Sequence, residues 1–518
     1  MTNVSIAPTQ TYSCTSKTNI ALAMLVSVSV AACGGEELRC EPGATQSREA
    51  SAPPEFRSHK ISASMPANFG FADGAAIRLE FDVAIDSTQE LHVMGENSGP
   101  VSGTLAIDGN SLTFTPERSF MAGERVTALL PTSALALDGE LLAPHGYAWQ
   151  FYVSVAPSLR PLSEESLTEV ERHSTQGVAG SFSQTYGGVA VDLDRNGFAD
   201  LALVNEYSDD VVTFKNASDG SIGMQRLPGT IPTGHGPSPS HAADLDGDGY
   251  VDLAVANTRD DVVSLYRGGP DGQLSSWQDL PTGCQPRGIA LVDVNADGFE
   301  DIVTADYIDD SISIHINQGG GAFAIRTILK TPNVQGDYAI AAGDLDNDGL
   351  MDLVVGGHDD GSIVGFLARG EGHFVRGPSV ITPKGLWHVN IADLSGDGIA
   401  DVAVAGGHSG KGSLIVSTAA GEFGEATIYT TDPGNASTDI GDLDGDGDLD
   451  WVLSSFSGAD SDWSFFENLG NGEFRRFLEF DSPKDASCCL LVDFDRDGDL
   501  DAALIDEADD VLIMLENR

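Results

Sequence analysis

The stretch DLDGDGYVDL, Asp244–Leu253, sets four aspartates within nine residues, and the 518-residue chain carries close variants of it seven times. The copies begin at Asp192, Asp244, Asp293, Asp344, Asp393, Asp442 and Asp493, spaced 49 to 52 residues apart. Each reads D-x-[D/N/S]-x-[D/N]-G-x-x-D. Alternate side chains of a tightly turning loop converge on one point, and the glycine permits the turn. Carboxylates gathered this way repel one another, so the loop requires a counter-cation.

Between the loops the order is constant: an apolar stretch, the acidic loop, a run such as DLAVAN (Asp252–Asn257), a turn often carrying Asp-Asp, a run such as VVSLY (Val262–Tyr266), a Gly-rich turn and a last amphipathic segment. That is four short strands in about fifty residues, the size of one propeller blade, and no helical periodicity interrupts it. The predicted fold class is all-β: a seven-bladed β-propeller over residues 163–518, preceded by a small β-sandwich. The seventh copy reaches Arg518 one strand short, after DVLIMLENR, while LTEVERHST (Leu167–Thr175) ahead of the first copy matches fourth strands such as FAIRTILKT (Phe323–Thr331). This early strand is expected to complete the last blade and shut the ring.

Oxygen-bearing side chains at loop positions 1, 3, 5 and 9, with a backbone carbonyl at 7, suit Ca²⁺. The expected ligands are Asp192, Asp194, Asn196 and Asp200 in the first loop; Asp244, Asp246, Asp248 and Asp252 in the second; Asp293, Asn295, Asp297 and Asp301 in the third; Asp344, Asp346, Asp348 and Asp352 in the fourth. Asp393, Ser395, Asp397 and Asp401 follow in the fifth, Asp442, Asp444, Asp446 and Asp450 in the sixth, and Asp493, Asp495, Asp497 and Asp501 in the seventh. The twelfth position is Leu203 in the first copy and Val255 in the second, where an EF-hand needs glutamate, and the flanks are strands. Up to seven structural Ca²⁺ ions are expected, the fifth site weakest because Ser395 is a poorer ligand. Seven copies of one loop argue for stabilisation rather than catalysis.

Lys+Arg 27 against Asp+Glu 79 gives a formal charge of −52, which excludes binding to nucleic acid or anionic lipid by electrostatics. Residues 1–32 read as a signal peptide: Ile20–Val30 is apolar but too short to span a bilayer, and small residues follow. Val30-Ala31-Ala32-Cys33 resembles a lipoprotein lipobox, which implies lipidation of Cys33, a flexible linker over 33–54, and an exported, lipid-anchored protein at the outer membrane or surface of a Gram-negative cell. The membrane is then touched only through the lipid. Ordinary secretion with a free Cys33 thiol is the alternative. Residues 55–156 alternate apolar and polar residues, as in IRLEFDV (Ile77–Val83) and YAWQFYV (Tyr147–Val153). They resemble bacterial Ig-like β-sandwich domains and read as a spacer. Cys40, Cys284, Cys488 and Cys489 lack zinc-type spacing. They read as unpaired thiols, although an oxidising compartment permits one disulfide.

The loops and the DLAVAN…DDVVSLY continuation of Asp252–Tyr266 resemble the FG-GAP and VCBS repeat proteins, calcium-binding propellers related to the integrin α-chain head. The resemblance implies adhesion or ligand binding by a monomer without assigning the ligand. Six residues before the loops, where the chain should line the channel mouth on the face opposite the calcium loops, stand Tyr186, Ser238, Arg287, Tyr338, Trp387, Ala436 and Ser487. Arg287, Tyr338 and Trp387, with His388 beside them, are the candidate binding residues: aromatic faces stack on sugar rings, and arginine grips carboxylates. The reading is a non-enzymatic binding or adhesion module for a glycan or protein ligand. The alternative is a polysaccharide lyase or glycoside hydrolase using Lys384, His388, Arg287, Tyr338, His235 and His241. No diagnostic catalytic motif accompanies these residues.

Overall fold

The computed structural model describes residues 61–158, 160–407, 410–456 and 461–518, with the backbone of Gln46–Ser47. The signal peptide, Cys33, Cys40 and most of the linker lie outside the described residues.

Every regular element described is a β-strand. The repeats form seven sheets of one plan, the second being Pro237–Ala243, Asp252–Asn257, Val262–Arg267 and Ser275–Pro281, paired antiparallel in that order. The second strand is buried at every residue in all seven sheets, from Asp200–Asn205 to Asp501–Asp506. Strand side chains alternate between faces, so a continuous apolar run is stable only where both faces are covered. Neighbouring sheets supply that cover. Ala254 and Ala256 pack with Ile289 and Ile302 of the third sheet.

The first strands contact one another in chain order, and the last, Ala486–Val492, contacts the first, Thr185–Val191. Leu201 and Leu203 share a core with Ile505 and Met514. Leu167–Ser174 pairs antiparallel with Val511–Asn517, so the early strand completes the last sheet as the sequence predicts. The result is a closed, propeller-like ring.

Ahead of the ring, two sheets face each other. Ile61–Met65, Ile77–Phe81, Ser111–Pro116 and Gly103–Asp108 form one; Phe71–Ala72, Tyr147–Val153, Arg125–Leu130, His92–Gly95 and Gly99–Pro100 form the other. Ile77, Leu79 and Phe114 meet Trp149 and Phe151 in the shared core.

The structure differs from the sequence reading in three places. The sandwich is not a free spacer: it docks on the acidic-loop end of the ring. Ala148 N–H donates to Gly349 O (2.7 Å), Ala156 N–H to Gly498 O (2.7 Å), Thr132 N–H to Ala296 O (3.1 Å) and Ser158 N–H to Asp444 O (2.6 Å). Leu129 and Ala148 join a core otherwise made by the third and fourth sheets. Within the segment read as a flexible linker, Gln46–Ser47 runs parallel to Thr327–Lys330, where an edge strand offers unpaired backbone groups. Finally, Cys284 is disulfide-bonded rather than free, while Cys488 and Cys489 are free.

Candidate functional site

Each acidic loop joins the first strand of a sheet to the second, and its backbone is organised by its own carboxylates. The first aspartate accepts from the glycine N–H five residues on: Asp244 from Gly249 (2.9 Å), Asp344 from Gly349 (2.9 Å), Asp393 from Gly398 (2.6 Å) and Asp442 from Gly447 (3.1 Å). The ninth-position aspartate has a second task. Its Oδ2 accepts from the N–H of the loop's second residue, as Asp252 does from Leu245 (2.9 Å) and Asp450 from Leu443 (2.8 Å). Its Oδ1 accepts an N–H at the end of the third strand, as Asp252 does from Gly268 (2.9 Å) and Asp450 from Asn468 (2.8 Å). One buried carboxylate thus ties loop, second strand and third strand together.

The donor set fits a cation. Ligand oxygens of Asp192, Asp194 and Asp200, of Asp244, Asp246 and Asp248, of Asp344, Asp346 and Asp348, and of Asp442, Asp444 and Asp450 lie within 4.8 Å of one another in each group. Burial, with the neighbouring carboxylates adding to it, pushes Asp252 up to about 7 and Asp501 to about 9. Part of the repulsion is met by the protein itself. Arg118 of the sandwich pairs with Asp192 (2.6 Å), Lys215 with Asp194, Arg267 with Asp246 (2.9 Å), and Arg369 with Asp346 (3.2 Å) and Asp348 (3.4 Å). Of these four clusters, that of Asp442, Asp444 and Asp450 has no ion pair to a basic side chain among the described residues and is the one most in need of a metal ion.

Sequence reasoning missed one recurring residue beside these loops. Asn216, Asn468 and Asn517 end third strands and Asn317 lies two residues past one, and each Nδ2 donates to the second loop residue of the preceding sheet: Phe494 O (2.8 Å), Leu245 O (2.8 Å), Leu394 O (2.9 Å) and Leu443 O (2.8 Å). Asn216 reaches back to the seventh loop and so helps close the ring. The signal was visible as FKN, HIN, FEN and LEN in four repeats.

At the other end, all seven mouth positions line one central cavity of about 830 Å³, which extends to Glu96, Arg125 and Tyr152 of the sandwich. Arg287, Tyr338 and Trp387 come together as expected. The Arg287 guanidinium lies 5.5 Å from the Tyr338 ring centroid, and Tyr338 stacks on Trp387 at 5.8 Å. Two further rings join them. Tyr186, from the first sheet, stacks on Trp387 at 6.3 Å, and His358 stacks on Tyr338 at 5.3 Å. These faces are therefore spent largely on one another, and Tyr338 is buried. His388 departs from the group: its Nδ1 lies 3.0 Å from Thr438 O, and burial pushes its imidazole pKa down. Arg287 Nε is buried without a hydrogen-bond partner, and no described carboxylate forms an ion pair with this side chain.

Of the groups weighed for catalysis, Arg287, Tyr338, His241 and His388 line the cavity, whereas Lys384 and His235 do not. His235 is exposed and pairs with Asp260 (3.0 Å).

Closed rings of repeated sheets with acidic first loops define a class of propeller-like repeat proteins. The FG-GAP-like repeat family matches residues 192–255, 244–304, 293–355, 348–404, 393–453 and 442–504, more than half of the chain, and the protein belongs to that family. No curated protein sequence matches it. Similar solved structures include BBS1N in complex with ARL6DN (14% identity, 68% of this chain and 97% of that one, TM-score 0.48). They also include an Agrocybe aegerita lectin recognising non-reducing terminal N-acetylglucosamine (16%, 77% and 92%, 0.42) and a candidate 6-phosphogluconolactonase of Bacteroides uniformis (16%, 59% and 90%, 0.43). At these values the likenesses assign neither ligand nor activity.

Proposed function

We propose that this protein is a calcium-stabilised, non-enzymatic binding module for an anionic glycan or peptide, its ring a seven-bladed β-propeller (163–518) and its sandwich an Ig-like domain (55–156). Arg287 carries the reading. A half-buried arginine whose buried Nε has no hydrogen-bond partner, set against a tyrosine ring in a channel that a tryptophan also lines, suits a guest carboxylate or sulfate. Ca²⁺ would be held by the seven loops, most firmly by Asp442, Asp444 and Asp450, and would supply countercharge where buried carboxylates crowd. Export and a lipid anchor at Cys33 complete the proposal, and a disulfide-bonded Cys284 accords with an oxidising compartment.

The test is an array of glycans and matrix polymers probed with the full-length chain, with Ca²⁺ and with chelator, scoring retention and release of shortened product. Retention that Arg287→Ala abolishes supports the binding module. Product release favours a lyase or hydrolase instead. Retention unaffected by Arg287→Ala places the ligand elsewhere.

A further inference from the structure

Outside the seven loops, a different acidic group stands at the opposite end of the sixth sheet. Asp462 opens the third strand, Asp462–Asn468; Glu479 lies in the fourth, Phe474–Asp481; Asp432 follows the outer strand of the fifth sheet, Glu422–Thr430. Ligand oxygens of the three lie within 4.8 Å of one another. Asp462 is 2% exposed. Its Oδ1 accepts from Ser464 Oγ at 3.3 Å, and its Oδ2 is buried without any hydrogen-bond partner. Ser455, directly across the strand pair, adds a neutral oxygen that is likewise buried and unpartnered. Among the described residues, the one basic group paired here is Arg476, whose Nη1 meets Glu479 Oε2 at 2.8 Å on the exposed side.

The first sheet shows how the same place is built when no ion is needed. Asp210 opens its third strand opposite Asn205, as Asp462 does opposite Ser455. There, Asn205 Nδ2 donates to Asp210 Oδ1 at 2.6 Å and Ser208 Oγ donates at 3.0 Å. At the sixth sheet Ser455 stands in place of Asn205, the donation to Asp462 comes from Ser464 at the longer distance of 3.3 Å, and two further carboxylates have arrived. A buried, unpartnered carboxylate oxygen facing two more acids is costly unless a cation joins them.

We propose that Asp432, Asp462 and Glu479 bind a hard divalent cation of the Ca²⁺ class, which pins the fifth sheet to the sixth at the end remote from the acidic loops. Oxygen-only donors select such an ion over thiolate- or imidazole-seeking metals. This site is independent of the seven repeat loops.

The experiment measures Ca²⁺ bound per full-length chain by atomic emission after dialysis at saturating Ca²⁺, for wild type, Asp462→Asn/Glu479→Gln, Asp432→Asn, and the loop variant Asp442→Asn/Asp444→Asn. Each of the first two variants is expected to lose one ion per chain, and the loss should add to that of the loop variant. Melting supplies a second readout that holds even if one variant folds poorly. In chelator Asp462→Asn should raise Tm, because it removes a repelled charge; in Ca²⁺ that gain should vanish. Unchanged stoichiometry in Asp432→Asn, or a Tm gain of equal size with and without Ca²⁺, overturns the proposal and leaves the group as carboxyls sharing a proton.

Discussion

At the loop end of the ring, Asp244, Asp293, Asp344, Asp393 and Asp442 each accept a glycine N–H from five residues on, at 2.6 to 3.1 Å, in near-identical geometry. At the opposite end, the seven equivalent mouth positions hold Tyr186, Ser238, Arg287, Tyr338, Trp387, Ala436 and Ser487. The same backbone task recurs in every sheet at the first end, so the same residues recur. At the second end, seven sheets look onto one shared channel, where no common backbone task imposes a common residue. Repetition here marks a shared backbone task, and divergence is what the proposed binding face requires.

The comparison breaks first under chelation. At free Ca²⁺ ten times its Kd, a site adds about 1.4 kcal/mol, and seven independent sites roughly 10 kcal/mol. Calorimetry with Ca²⁺ and with EGTA should therefore show the largest Tm change of all. Because Arg118 and Lys215 already neutralise part of the first loop, Asp444→Asn should forfeit more of this gain than Asp194→Asn. A melting temperature indifferent to chelator would end the reading of these loops as cation sites.

Next comes Asn468→Ala, which removes bonds to Leu394 O (2.9 Å) and Leu449 O (3.0 Å). Leaving buried carbonyls unpaired costs about 1–3 kcal/mol, and denaturant unfolding should show it with or without Ca²⁺. A loss seen only in Ca²⁺ would mean that Asn468 acts through the loop instead.

An effect at least as large follows pH. Burial, reinforced by Glu206, pushes Glu507 up to about 8 from an ordinary value near 4.5. The folded state thus binds a proton that the unfolded chain releases, so this contribution is complete below pH 4.5 and fades as pH rises through about 8. Glu507→Gln should flatten that stretch of the stability curve and raise Tm above pH 8. An unchanged profile would show that Glu507 is ionised in the fold.

Smallest in stability is Arg287→Ala, expected to move unfolding by about 1 kcal/mol or less, the scale of its contact with the Tyr338 ring, while abolishing ligand retention. Arg287→Lys should not restore binding, because an ammonium lacks the planar fork. A large loss of stability would mark Arg287 as a structural member of the aromatic stack.

Much of the ring was legible before folding. The spacing of the loops, the apolar second strands and the match of Leu167–Thr175 to later fourth strands all reflect local rules: side-chain alternation, turn chemistry and the need to cover sheet edges. The convergence of Arg287, Tyr338 and Trp387 was legible too, through their shared offset from the loops. Their burial against one another was not. Tyr186 meets Trp387 across sheets one and five, a contact that depends on the width of the closed channel rather than on either segment. Nor could loop composition reveal that Arg118, seventy-four residues from Asp192, supplies its countercharge.

By itself, then, the amino-acid order determined the strands, the repeat, the acidic donor sets and the strand that shuts the ring, because each rests on spacing along the chain. Tertiary structure alone decided where the sandwich docks, which loops already hold a protein cation, and that Asp432, Asp462 and Glu479 meet. Those outcomes join groups from separate sheets, and their energies depend on distances through space and on exclusion of water, which no period in the sequence records.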